Sequence, residues 1–425
     1  MARADTPLRY NFELGERLIY ERRVRVLSID GKETLSNYRE QIQFWCLADD
    51  INEDFLLAEM IRTDDRKKTE TYVTAFHVDH RGQRRFEPEM LERIEGCDPI
   101  LEMIPVLPTV LEADQAWLSP PDHYGRQWSS RRAPQDARDG IRIEFTLQDP
   151  TKVTELWRRS QRGFMTYDPE SGCITRIETD TTDQDAGQRI VTVAILHARL
   201  STGELWSRQR MQDWEKTQRV LRQHDRLLER LWNERVDAEH IAADLERLWS
   251  ELEIELAGSP DNPIQRYAHA SLERVRAERP RLLEQANLAK QWLGAKAAQW
   301  SLQTPDGKTL ASETLRVRNV LECFWSASAP DCLHSFELLR RLAADEQNDS
   351  VTIVCLNIDT DVARAGRTID LCGSGLTHVL AGAPLEGPPP RTLPVYRLLS
   401  PDSRILCVFF GWQPNLRERI SEKIR

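Results

Sequence analysis

Residues 319–342 read Asn319-Val-Leu-Glu-Cys-Phe-Trp325, Ser326-Ala-Ser-Ala-Pro-Asp-Cys332 and Leu333-His-Ser-Phe-Glu-Leu-Leu-Arg-Arg-Leu342. The first run is a short apolar strand. From Cys332 onward apolar residues recur at helical spacing, so a helix follows the turn. Pro330 suits the first helical position, where its missing N–H costs nothing. Ala329 before it is a poor cap, weaker than Ser or Asp by about 1 kcal/mol, and Ser328 is the expected substitute. A strand thus hands over to a helix with a methyl group at Ala329 and a thiol at Cys332, three residues further on.

The surrounding chain carries the same pattern outward. Trp300-Ser-Leu-Gln-Thr-Pro-Asp-Gly-Lys308 reads as a hairpin turning at Asp306-Gly307. Val351-Thr-Ile-Val-Cys-Leu-Asn-Ile358 is a continuous apolar run of the kind a buried central strand requires. Asp359 to Asp370 reads as a crossover helix, Arg404 to Phe410 as a closing strand and Leu416 to Ile424 as a final helix. Together with Thr392-Leu-Pro394-Val-Tyr-Arg-Leu-Leu399, residues 299–425 resemble a bacterial thioredoxin-like domain of the thiol–disulfide oxidoreductase kind involved in cytochrome maturation. The resemblance implies a thioredoxin fold, a cis-proline at Pro394, and a Cys-x-x-Cys site whose first cysteine is here Ala329.

That replacement sets the functional expectation. The family's nucleophile lies at a helix N-terminus, where unpaired amides and the helix dipole bring a thiol from about 8.5 to roughly 3.5–7.5. Ala329 offers no thiolate and no local disulfide, which excludes the ordinary dithiol cycle. Cys332 is expected to be shielded as a neutral thiol and retained by packing. Binding survives such a loss better than turnover, because the proline shapes a cleft and presents backbone to an extended polypeptide. The expected binding residues are therefore Trp325, Ala329, Pro330, Leu393 and Pro394, with Cys332 the residual catalytic candidate. The alternative is a thiol–disulfide oxidoreductase in which Cys332 works through a distant or partner thiol. Cys372, in Leu371-Cys-Gly-Ser-Gly375, is the best-placed candidate for that role.

The remaining cysteines do not repair the site. Cys323, Cys355 and Cys407 fall inside strands, and Cys46, Cys97 and Cys173 are scattered. Eight cysteines in 425 residues are too few for a disulfide scaffold, and none joins histidine at zinc-finger spacing. His77-Val-Asp79-His80 spans a strand and a turn and does not converge on a metal. Gly373-Ser-Gly375 lacks the Lys-Ser/Thr of a phosphate loop. No metal or cofactor is expected.

The net charge of −10 argues against a general nucleic-acid binder. No run reaches the roughly 18 apolar residues of a membrane span. The start, Met-Ala-Arg-Ala-Asp-Thr-Pro-Leu-Arg, has no apolar leader core, which reads as cytoplasmic. The resemblance implies the cell envelope or periplasm instead.

Upstream, residues 1–201 read mostly as strands: Arg17–Val26, Tyr38–Leu47, Phe55–Ile61, Thr71–Val78, Ile141–Leu147, Gly163–Asp168, Cys173–Thr181 and Arg189–Ala198. This spacing predicts an antiparallel sheet or open barrel. Ile104-Pro-Val-Leu-Pro-Thr-Val-Leu111 followed by Trp117 loosely resembles β-rich, lipoprotein-like domains of unknown function in exported bacterial proteins. A filled core is the expected state, and an apolar ligand held by the sheet is the third functional class.

Residues 202–298 are dense in Arg, Glu, Leu and Trp. Trp214, Leu221 and Leu228 are spaced by seven, and Ala238, Ile241, Leu245, Leu248, Leu252 and Leu256 step by three or four. Gly258-Ser-Pro-Asp-Asn-Pro263 breaks this helix, another starts at Ile264, and Pro280 is expected at a bend or a new start. Packing within this coiled-coil-like helical hairpin is the simpler use of Trp206, Trp214, Trp232 and Trp249, and a homo-oligomer seam or partner-docking arm the sharper one. The expected architecture is an N-terminal, mostly antiparallel β domain (1–201), a charged helical hairpin (202–298) and a C-terminal α/β thioredoxin fold (299–425). The expected function is non-catalytic binding of a polypeptide or support of an assembly.

Overall fold

The computed structural model describes residues 8–86, 98–108, 116–120, 127–133, 140–148, 159–183, 187–258, 262–315, 317–344, 351–373, 375–382, 392–413 and 415–424. The chain divides into two compact units, Met1–Arg219 with Ser250–Ser271 and Val220–Trp249 with Leu272–Arg425.

The first unit is built on β1 (Glu16–Ser28), β2 (Thr34–Asp49), β3 (Glu53–Asp64), β4 (Thr69–Asp79), β5 (Arg84–Arg85), β6 (Trp117–Leu118), β7 (Gln127–Arg132), β8 (Ile141–Gln148), β9 (Arg159–Asp168), β10 (Cys173–Asp183) and β11 (Gln188–Ser201). They form one antiparallel sheet in the order β5-β4-β3-β2-β1-β11-β10-β9-β8-β7-β6, so the first and last long strands meet at its centre. Alternation along β1 shows why. Leu18, Tyr20, Val24 and Val26 are buried while Glu21, Arg23 and Arg25 are exposed, which fixes one face toward a core. That face carries Tyr20, Ile42, Phe44, Leu56, Met60 and Phe76, covered by Ile100 and Leu101 of α1 (Asp98–Leu101) and by Met103, Ile104 and Leu107. Burying each such side chain contributes about 1.5–3 kcal/mol. The same face also buries Arg22, which reaches Glu40 at 2.6 Å and Glu102 at 3.0 Å.

The central segment is helical, as expected, and consists of α2 (Glu204–Asn233), α3 (Ala238–Glu255) and α4 (Pro263–Trp292). Each contributes residues to both units. Pro280, expected at a bend or a new start, lies inside α4, which continues through it. Trp214, Leu221, Leu231, Ile241, Leu245, Leu252 and Leu256 are buried, so the apolar seam is used within the chain. In the first unit Trp214 meets Phe55 and Tyr267, and Arg266 grips Glu59. In the second unit Trp249 Nε1 donates to His224 Nδ1 at 2.9 Å. Among the described residues no helix is long and apolar enough to cross a membrane.

The second unit holds β12 (Ser301–Gln303), β13 (Thr309–Ala311), β14 (Asn319–Trp325), α5 (Pro330–Ala344), β15 (Val351–Asn357), α6 (Val362–Thr368), β16 (Thr377–Leu380), β17 (Val395–Leu399), β18 (Ile405–Phe410) and α7 (Leu416–Ile424). Their sheet runs β13-β12-β16-β15-β14-β17-β18. β14 is parallel to β15 and β15 to β16, while β17 and β18 are antiparallel. A strand–helix–strand crossover followed by two antiparallel strands and a closing helix is the α/β arrangement of a thioredoxin fold. β16 was not foreseen, and the crossover helix, expected from Asp359 to Asp370, starts later, at Val362, and continues beyond Thr368 as a π-helical turn at Ile369–Gly373.

Candidate functional site

β14 ends at Trp325, and the chain turns through Ser326–Ala329 into α5. Two residues at the end of β15 hold this turn. Asp359 accepts from the Ala327 amide at 2.7 Å and from the Ser326 hydroxyl. Asn357 Nδ2 donates to the same carboxylate at 2.8 Å, and Asn357 Oδ1 accepts from the Asp359 amide at 3.1 Å. The Ile358 amide bonds Trp325 O at 3.0 Å, and Arg364 of α6 reaches Ala327 O at 3.3 Å. A carboxylate here accepts bonds from three donors, which makes it an effective clamp.

The expected capping by Ser328 takes another form. Its Oγ lies 2.6 Å from Ser326 Oγ, and its amide donates to Ser326 Oγ at 3.1 Å. Ser326, inside the turn, is the residue that organises it. Ala329 is half-buried, and its amide donates to Ser326 O at 3.2 Å.

Cys332 is fully buried. Burial pushes its thiol far above the ordinary cysteine range, and the carboxylates of Asp331 and Asp359 act in the same direction. At neutral pH it is a protonated thiol, without the charge that attack on a disulfide requires. Beneath it, Cys323 and Cys355 stand opposite each other in register across β14 and β15. Both are buried and free, and the Cys323 thiol is raised by burial and by its hydrogen bond to Cys355. Tyr396, opposite Cys323 on β17, donates to Ser335 Oγ at 2.8 Å. The side chain of Cys372 lies outside the described residues.

Trp325 was expected at a binding surface and is instead wholly buried, so it cannot touch a partner in this arrangement. Its ring meets Phe336 edge-on at 5.0 Å and His378 at 5.6 Å. The cause is strand alternation: Leu321, Cys323 and Trp325 share the face covered by α5. His378 completes this aromatic group. Burial lowers its pKa to about 4, and one ring nitrogen lies 2.9 Å from Gly373 O. Gly373 permits that approach, since a Cβ there would sit 2.7 Å from His378 Nε2.

Leu393 and Pro394 precede β17, and their peptide bond is cis. Because Val395 pairs with Phe324 in an antiparallel register, this peptide and the 326–329 turn lie at the same end of the sheet. Pro394 is buried, and its carbonyl accepts from the Gly411 amide at 2.8 Å. Leu393 is half-buried, and its backbone amide and carbonyl have no hydrogen-bond partner among the described residues. Gln285 of α4 supports the preceding residue, donating to Thr392 Oγ1 at 2.8 Å. Sequence reading missed Asp359, Asn357, Arg364 and His378. The only sequence signal for the first two was their position at the end of an apolar strand. In the first unit, His77 pairs with Glu53 at 3.2 Å and His80 with Ile51 O at 2.9 Å, so the two histidines serve different partners.

No protein-family model matches the chain, and no curated protein matches it. Solved structures similar to it include a chain assigned as thiol:disulfide interchange protein DsbE from Chlorobium tepidum, at 19% identity over 31% of this chain and 94% of that one, TM-score 0.28. The thioredoxin domain of a thiol-disulfide oxidoreductase from Bacteroides vulgatus shares 16% identity over 31% of this chain and 98% of that one, TM-score 0.27. A thiol-disulfide oxidoreductase from Bacteroides fragilis shares 20% identity over 30% of this chain and 98% of that one, TM-score 0.27.

Proposed function

We propose that residues 299–425 form a thioredoxin-fold domain that binds an extended polypeptide without catalysing thiol–disulfide exchange. The observation that carries this reading is the pairing of Ala329 at the nucleophile's position with a fully buried, protonated Cys332. Binding uses the clamped 326–329 turn with Ala329 and Pro330, and the open backbone of Leu393 beside Pro394. We keep the functional division at 1–201, 202–298 and 299–425, and the cell envelope is the setting that the sequence resemblance implies. A homo-oligomer through 202–298 needs a face other than the buried seam. The packed inner face of the β sheet weighs against an apolar-ligand role.

The test is reduction of insulin disulfides by dithiothreitol, with the native chain beside Ala329→Cys and thiol-specific labelling of Cys332. An inert native chain, an unlabelled Cys332 and turnover restored by Ala329→Cys are expected. Turnover by the native chain that Cys332→Ser abolishes would show a one-cysteine oxidoreductase instead.

A further inference from the structure

The exposed face of the β1–β2–β11 region has an organisation that its own packing does not explain. Arg23 and Arg39 stand directly opposite each other across β1 and β2, and Arg25 follows two residues later on the same face. All three are exposed, with no hydrogen-bond or ion-pair partner among the described residues. Glu21 shares the face and leaves the patch net positive. Like charges directly opposite on a sheet are destabilising, so Arg23 and Arg39 weaken the strand pair they sit on. On the far side of β11, Glu178 and Asp180 of β10 stand opposite Val193 and Val191 and are already committed, Glu178 to Arg176 at 2.5 Å and Asp180 to Arg189 at 2.7 Å.

Next to the arginines runs an apolar strip. Arg25, Arg23 and Glu21 pair with Val191, Val193 and Ile195 of β11, which therefore lie on the same face. Ile195 is 45% exposed, and the two valines are half-buried. Residues two apart on a strand are about 6.8 Å apart, close to the roughly 6 Å between the Cβ atoms of residues i and i+4 on a helix. Val191 to Ile195 covers about 13 Å, the length of about nine helical residues.

We propose that this face docks an acidic amphipathic helix of a partner polypeptide, with its carboxylates on Arg23, Arg25 and Arg39 and its apolar side on Val191, Val193 and Ile195. The proposal uses none of the residues around Ala329 and Pro394, and its chemistry does not depend on their function. Guanidinium groups suit carboxylates, which they bind through paired hydrogen bonds. The uncompensated Arg23–Arg39 pair is then satisfied only in the complex.

The experiment is fluorescence anisotropy on the full chain with a labelled synthetic helix of about twelve residues, glutamate on one face and leucine on the other. A lysine-faced peptide and phosphatidylglycerol–phosphatidylcholine vesicles run in parallel. The glutamate peptide is expected to bind, to weaken as salt rises, and to lose roughly tenfold or more in affinity in Arg23→Glu and Arg39→Glu. Arg39→Thr is expected to raise the melting temperature of the free protein by relieving the repulsion. The proposal is overturned if the glutamate peptide does not bind, or binds the charge-reversed variants equally well. Capture by the anionic vesicles in place of the peptide would assign the face to a lipid surface. An unchanged or lower melting temperature in Arg39→Thr would remove the repulsion on which the argument rests.

Discussion

Arg397 Nη2 lies 2.7 Å from Glu322 Oε2, and both side chains are 1% exposed. The two residues sit directly opposite each other on β17 and β14. Trp300 Nε1 donates to the other oxygen of Glu322 at 3.0 Å, and the Arg397 guanidinium lies over the rings of Phe324 and Trp292 at 4.6 and 5.0 Å. Removing one partner strands a charge with no water to solvate it. Glu322→Ala is expected to cost about 3–5 kcal/mol, read by urea denaturation, and Arg397→Leu a similar amount. Replacing both by apolar residues of similar volume, Glu322→Met with Arg397→Leu, is expected to restore most of the loss. A double variant as unstable as the singles would mean that the pair itself, and not the stranded charge, supplies the stability.

Asp359 is expected to set the order of the turn more than the stability of the domain. Its carboxylate holds the Ala327 amide, the Ser326 hydroxyl and Asn357 Nδ2. Asp359→Ala leaves the Ala327 amide without its acceptor and takes one bond each from Ser326 and Asn357, which keep Ser328 Oγ and Trp325 O, at a cost of about 1–3 kcal/mol. Amide hydrogen exchange should accelerate most at Ala327 and Ser328 and little in β17. Uniform acceleration across the domain would show that the carboxylate supports the whole fold instead.

The long strands of the first unit were legible because buried and exposed residues alternate along them, as in β1, and β14 because it is mostly apolar. The site was only half legible. Ala329 and Cys332 are local in sequence, and so is the Leu393–Pro394 peptide, but Asp359 and His378 join them only through the packing of β15 and β16. Glu322 reads as a polar interruption of an apolar strand until Arg397 is seen opposite it. The register that places Cys323 beside Cys355 is likewise a property of strand pairing and leaves no trace in their spacing. Trp325 was expected at a binding surface because it borders the 326–329 turn, but a residue next to a turn can still point into the core. No new helix starts at Pro280, because packing along a long helix outweighs one lost backbone hydrogen bond.

Asp54 is expected to destabilise the first unit at neutral pH. Burial, opposed by His80 and reinforced by the Asp49 carboxylate, raises its pKa from 3.8 to about 6. The folded state therefore holds a proton that the unfolded chain releases between those values. Stability on this account is highest below about pH 3.8, falls as pH rises to about 6, and is level above. Asp54→Asn removes the penalty, with an expected gain of about 1–3 kcal/mol at pH 7.5 and none at pH 3.5. A loss of stability at pH 7.5 would mean that the ionised carboxylate makes a favourable contact that outweighs its burial.

His378 carries the opposite dependence. Burial against Trp325 and Phe336 lowers its pKa from 6.5 to about 4, so the ring is neutral in the folded state. Below pH 6.5 the unfolded chain takes up a proton that the folded chain does not. Stability therefore falls as pH drops from about 6.5 to about 4 and levels off below, by up to about 3 kcal/mol in total. His378→Phe keeps the aromatic packing and abolishes this titration. It also removes the bond to Gly373 O, a loss of about 1 kcal/mol at pH 7.5. The variant is thus expected to be slightly less stable than the native chain at pH 7.5 and more stable at pH 4.5. Parallel stability–pH curves for the two chains would mean that His378 titrates as it does in water, and that its burial is relieved by local opening.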